Sequence, residues 1–311
     1  MIFIILFAPL ILLGIGFLYF LYRIYRVTFY SKQKTMPDVG NALSRDQHDM
    51  LKSTIKEHIE EYTTIPFETI STKSFDGLTL RGKYYKVPKS KHAVIIFHGY
   101  KSNISKDGSI ITKYCLEHGY NVLVVNQRGH GDSEGRSITF GIKERFDCKS
   151  WVDHITELLG DDCKILLFGI SMGGATVMMA SSLNMPTVKG IISDCGFSSP
   201  KEILRSVLDS KGAPTDRVYP FLRMSARIFA GFDPDETSAT EELRKSEIPI
   251  TIIHSDGDRF VPCDMGKRCF ESSNAAIKKL VIIKEAGHAL SFFFNKKAYL
   301  SAIEEMISII S

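Results

Sequence analysis

The pentapeptide Gly169-Ile170-Ser171-Met172-Gly173 has the spacing most suited to chemistry in this chain. A serine hydroxyl is a weak nucleophile until an adjacent base takes its proton. G-x-S-x-G is the spacing of a sharp strand–turn–helix from which the serine projects. The turn is strained, so positions two residues either side must lack bulk, and Gly169 and Gly173 meet that demand. The apolar run Lys164 to Phe168 reads as a buried strand, and Met172 onward as a helix packed on a sheet. Ser171 Oγ would then stand at a helix N-terminus, whose dipole favours developing negative charge. The rest of the chain must supply a base, an acid and an oxyanion hole, in the order serine, then Asp or Glu, then His.

The elements that must position these groups follow from patterning. Phe67 to Ser74 and Leu78 to Val87 flank Asp76-Gly77, a hairpin signal. Strands are expected at Ala93 to Phe97, Asn121 to Val125, Val188 to Asp194, Ile248 to His254 and Leu280 to Ile283. Helices are expected at 110–118, 142–159, 264–274 and 292–310. Ser199 to Ser246 lacks strands and is rich in helix formers. A hairpin followed by alternating strand–helix units means an α/β fold, with a mostly parallel sheet covered on both faces.

Several motifs carry a family resemblance. They are His98-Gly99-Tyr100, the loop Arg128-Gly129-His130-Gly131-Asp132-Ser133, the elbow Gly169 to Gly173, Asp258 ahead of Val261-Pro262, and Gly287-His288. From about Phe67 to the C-terminus the chain resembles serine hydrolases of the α/β-hydrolase fold. Within that superfamily it is similar to membrane-anchored bacterial hydrolases, monoacylglycerol lipases, cinnamoyl esterases and anchored protein depalmitoylases. The resemblance implies a core over 67–198 and 247–311 and a small helical cap over 199–246.

Three carboxylates compete for the acid. Asp194 ends a strand, where some related lipases place theirs. Asp256 precedes Gly257 and suits a turn. Asp258 fits the family pattern of an acid, two residues, then Val-Pro, and is the choice. Of nine histidines, only His288 follows the last strand and satisfies the chain order. His98 and His130 read as fixing loops, and His254 lies inside a strand. The resemblance places the oxyanion donors at the backbone N–H groups of Tyr100 and Met172. The implied reaction is cleavage of a small-molecule ester or thioester through an acyl-enzyme on Ser171. The alternatives are an acyltransferase or a serine aminopeptidase with the same side chains. In the cap, Phe221 and Phe229, with Phe260 near the acid, are candidate substrate contacts. Phe292 to Phe294 are candidates for the same cavity lining.

Bulk properties bound the rest. The 311 residues carry a net charge of +4 and no Lys/Arg run of nucleic-acid type, so no nucleic-acid partner is expected. Six scattered cysteines form no C-x-x-C pair, which suggests free thiols in a reducing compartment. The Gly129 to Gly135 loop lacks the phosphate-binding spacings, and no cofactor or metal is expected. Residues 1–22 contain no charge, and a helix of that length spans roughly 33 Å, enough for a bilayer core. Without a basic n-region or an A-x-A-like site, it reads as an uncleaved transmembrane anchor. Arg23, Arg26, Lys32 and Lys34 follow it, so the catalytic domain is expected in the cytoplasm, with Phe17, Tyr19, Phe20, Tyr22 and Tyr25 as an interfacial belt. Residues 23–66 form a linker and an amphipathic helix ending near Tyr62, which could pack on the domain or lie on the membrane.

Overall fold

A computed structural model describes residues 2–31, 45–102 and 104–310. The polar connector expected over 31–41 lies almost wholly outside the described residues. Eight strands form one sheet in the order β1-β2-β4-β3-β5-β6-β7-β8. They are β1 Glu68–Lys73, β2 Thr79–Tyr85, β3 His92–Phe97, β4 Asn121–Asn126, β5 Lys164–Ile170, β6 Val188–Asp194, β7 Ile250–Ser255 and β8 Lys278–Ile283. The pairs β1–β2 and β2–β4 are antiparallel, and all others are parallel.

The central strands are almost purely apolar because both of their faces are covered. Ile95, Phe97, Leu123, Val125, Ile165 and Leu167 enter one core cluster. Their neighbours Val94, Ile96, Val122, Val124, Leu166 and Phe168 enter the other. The period of two assigns each residue to its side. On the first face, helix Glu144–Leu159 buries Cys148, Trp151, Val152 and Ile155, spaced as one stripe. On the second, Lys296–Ile310 buries Tyr299, Ala302, Ile303, Met306, Ile307 and Ile310. A turn at Asn295 separates this helix from Ser291–Phe294, so the single helix expected over 292–310 is two. Helix Met172–Ala180 is buried at every position, which explains its lack of a polar face.

Between β6 and β7 lie helices Pro200–Ser210, Thr215–Ser225 and Ala239–Leu243, with a π turn at Ala226–Ala230. Ser199 and Ser238 cap two of them, each accepting from the backbone N–H three residues on. The N-terminal helix, Ile2–Thr28, extends six residues beyond the charge-free stretch. Leu10 to Leu13 and Ile15 are exposed, whereas Leu21, Tyr25 and Phe29 are buried. Phe29 lies between Phe140 and Phe232, with ring centroids 5.9 and 5.4 Å away. Ser225 Oγ donates to the Leu21 carbonyl at 2.7 Å. The last third of this helix is therefore packed into the domain. Among the described residues, one helix, over Pro9–Thr28, is long and apolar enough to cross a membrane. Helices Arg45–Met50 and Lys52–Thr63 pack on the domain, which decides where the amphipathic segment lies.

Candidate active site

The order of strands reverses between β3 and β5, and in open α/β sheets a ligand crevice opens at that point. Ser171 follows β5 directly. Its backbone is at φ 55°, ψ −114°, a strained conformation for a residue with a Cβ. Close packing imposes it. A Cβ at Gly169 would come within 2.2 Å of the Gly173 carbonyl, and one at Gly173 within 2.0 Å of the Phe97 carbonyl oxygen. The Ser171 N–H donates to the Asp194 carbonyl at 2.8 Å, tying the turn to the end of β6.

His288 Nε2 lies 2.8 Å from Ser171 Oγ, and its Nδ1 lies 2.7 Å from Asp258 Oδ2. An ionised carboxylate only accepts, so Nδ1 carries the proton and Nε2 is left to accept from the serine hydroxyl. Asp258 Oδ1 accepts from the Phe260 and Val261 N–H groups at 2.8 and 2.9 Å. All three side chains are buried. Burial lowers the His288 pKa, but the Asp258 charge and hydrogen bond outweigh it and the net shift is upward. Burial raises the Asp258 pKa, and the imidazole reverses that, giving a net downward shift.

The competing groups are engaged elsewhere. Asp256 accepts from the Glu285 N–H at 2.7 Å and from Lys284 Nζ at 2.9 Å, joining its turn to the loop before His288. Asp194 accepts from the Tyr299 hydroxyl at 2.8 Å, and its burial pushes its pKa up to about 7. His254 Nε2 faces the Val261 carbonyl at 2.9 Å.

The loop after β3 lies against Ser171, and a Cβ at Gly99 would sit 3.4 Å from that of Ser171. Asp107 accepts from the Gly99 N–H at 2.7 Å. His98 and His130, neighbouring rings whose burial lowers both pKa values, accept from the Gln127 and Lys101 N–H groups. This framework holds Tyr100 beside the serine. Met172 opens its helix, so its N–H is among the first-turn donors without an intrahelical partner.

Two cavities meet at Ser171. The larger, about 270 Å³, is lined mainly by Phe140, Phe197, Ile203, Leu204 and Phe260, with Val27 and Thr28 at one side. The smaller, about 30 Å³, includes the polar residues His48, Ser102 and Lys106. Phe260 lines both, with its ring 4.9 Å from that of His288. Phe221 and Phe229 lie outside both cavities, which corrects the expectation for them. Phe221 packs on Phe17 and Phe20 at 6.1 and 5.8 Å, and Phe229 on Tyr22 and Tyr25 at 5.5 and 6.0 Å. The apolar stripe of the cap covers the N-terminal helix, and nothing local in the sequence names that partner. Phe292 likewise packs on His58 and Tyr299, away from the cavity.

Sequence reasoning also missed Gln47. Its side chain donates to the Glu285 carbonyl at 2.9 Å and accepts from the Gly287 N–H at 2.6 Å, bracketing the loop that carries His288. With 240 residues between partners, no local pattern could have shown this.

An eight-stranded, mostly parallel sheet with a serine elbow after β5 is the α/β-hydrolase fold. Residues 88–229 match the family described as serine aminopeptidase, S33. The chain is 25% identical to the uncharacterised Bacillus subtilis protein YqkD over 89% of this chain and 88% of that one. It is 28% identical to an uncharacterised membrane protein of Saccharomyces cerevisiae, YNL320W, over 70% and 71% of the two chains. Among solved structures, an esterase of Pyrococcus furiosus superposes with a TM-score of 0.65 at 20% identity, covering 79% of this chain and 91% of its own.

Proposed function

We propose that this chain is a membrane-anchored serine hydrolase that cleaves carboxylic esters or thioesters through an acyl-enzyme on Ser171. The observation that carries the reading is the continuous relay from Ser171 Oγ through His288 to Asp258 at 2.8 and 2.7 Å. His288 Nε2 takes the hydroxyl proton as Ser171 Oγ bonds to the substrate carbonyl carbon. The carbonyl oxygen becomes an oxyanion held by the Tyr100 and Met172 N–H groups. Collapse breaks the bond to the leaving alcohol or thiol, which receives the proton from His288. Water, giving its proton to His288, then attacks the acyl carbon, and the acid leaves with Ser171 restored. Asp258 holds the imidazole tautomer and stabilises the imidazolium.

The matched family description favours a second reading, an aminopeptidase. Such an enzyme needs an anionic group to hold the free amine. The larger cavity contributes Lys101 and Lys211 and no carboxylate, and Asp107 in the smaller one is engaged by the Gly99 N–H, so esters fit better.

Ser171 should react with a fluorophosphonate probe, and Ser171→Ala should lose both labelling and esterase activity while remaining folded. Strong labelling in that variant would falsify the assignment. Turnover of amino-acid arylamides above that of acyl esters would favour the aminopeptidase. Anchoring rests on the apolar helix Pro9–Thr28, with the yeast membrane protein YNL320W as a relative in support. The cationic residues after that helix argue for a cytoplasmic domain.

A further inference from the structure

The wall of the larger cavity is not built from the hydrolase domain alone. Val27 and Thr28, the last two residues of the N-terminal helix, form part of it. Their carbonyls belong to the final turn, where no intrahelical N–H reaches them. The Tyr100 hydroxyl donates to the Thr28 carbonyl at 2.6 Å, and Lys101 Nζ donates to the Val27 carbonyl at 3.2 Å. The next residue, Phe29, is fully buried between Phe140 and Phe232. The helix end is thus fixed in place as a wall. The Val27 side chain is 68% exposed, so it stands at the rim and not in the depth. From this rim the helix leads back through the exposed apolar residues Leu10 to Phe20. The mouth therefore lies where the helix would leave a bilayer.

We propose that the last turn of the N-terminal helix is the outer wall of the acyl-binding site. On this view the acyl chain of an amphiphilic ester enters past Val27 from the membrane surface. It lies against Phe140, Ile203 and Leu204 and presents its carbonyl to Ser171, and residue 27 sets the length accepted. This rests on the hydrolase reading above. The cavity, about 270 Å³ and lined mostly by apolar side chains, suits a medium acyl chain.

The test uses the full chain in phosphatidylcholine vesicles with p-nitrophenyl esters from two to sixteen carbons. Fluorophosphonate titration gives the concentration of competent enzyme. In the wild type, kcat/KM should rise from the acetyl ester to a maximum at medium length. Val27→Trp should move that maximum to shorter chains and cut the ten-carbon to four-carbon ratio about tenfold, the loss expected for roughly two buried methylenes. Val27→Ala should move the maximum the other way. Identical length profiles in all three proteins, each with normal titration, would overturn the wall assignment alone. A wild-type protein with no titratable serine would overturn the hydrolase reading and this inference together.

Discussion

In the proposed mechanism His288 carries the pH dependence. It acts as a base only when neutral, and Asp258 holds its pKa above the usual value against the effect of burial. The acid limb of kcat/KM should therefore fall at a pH above about 6.5. Asp258→Asn should lower kcat by about 10⁴-fold and move that limb to lower pH, because the imidazolium loses its counter-charge. Asp194→Asn should do far less, since its carboxylate is engaged by Tyr299. The reverse ranking in a pH–rate study of both variants would reassign the acid. Ser171, Asp258 and His288, which the structure brings together, each sit in a short motif whose backbone geometry is local. Phe221 and Phe229 were misplaced because an aromatic side chain states that it will be buried, not by what. Their partners are residues 17 to 25, about 200 positions away.

At the level of elements, two loops and a helix from a distant part of the chain are locked to one another around the site. A Cβ at Gly257 would lie 2.5 Å from the Glu285 backbone carbon, so the acid-bearing and base-bearing loops touch directly. Helix Arg45–Met50 closes the bracket through Gln47. Gln47→Ala removes two hydrogen bonds to the His288 loop, each worth about 1 kcal/mol. It should lower kcat several-fold while KM and fluorophosphonate labelling persist. Unchanged kcat would show that the loop holds its place without Gln47. Gly173→Ala should be far worse, because the clash at 2.0 Å is with the backbone of β3 and no side chain can yield. Denaturant unfolding should report a loss above the ~1–3 kcal/mol typical of overpacking. All eight strands were expected from apolar runs and turn residues. Their ends moved by one or two positions because ladder pairing, set by neighbours, decides where a strand stops. The break at Asn295 was not foreseen, since Asn295, Lys296 and Lys297 read equally as the polar face of one continuous helix.

For the whole molecule, the N-terminal helix serves two regions, one exposed and apolar over Leu10 to Phe20, the other packed against the domain at Leu21, Tyr25 and Phe29. The protein should stay with membranes through a carbonate wash, and protease added to intact cells should not reach the domain. Release as a soluble, shortened chain would argue for a cleaved leader. The missing charge over residues 1–22 was readable as an apolar helix long enough to cross a membrane. Its docking was not, because Leu21, Tyr25 and Phe29 look like an ordinary apolar continuation. Phe29→Ala should cost about 3–5 kcal/mol in domain stability, as for any large core truncation. Loss of only a few tenths in an unfolding titration would mean that the helix end is peripheral.

Phe29 also imposes an order on biosynthesis. It leaves the ribosome early, yet Phe232, one of the two rings that enclose it, is made about 200 residues later. At ~5–20 residues per second that is a delay of roughly 10–40 s. For that interval the end of the N-terminal helix waits with its apolar side uncovered, until the domain closes on it. Nascent chains arrested before residue 226 should therefore be cut by protease near Tyr25, and chains arrested well past 240 should resist. Equal resistance in both would mean that the anchor finds its seat without the cap.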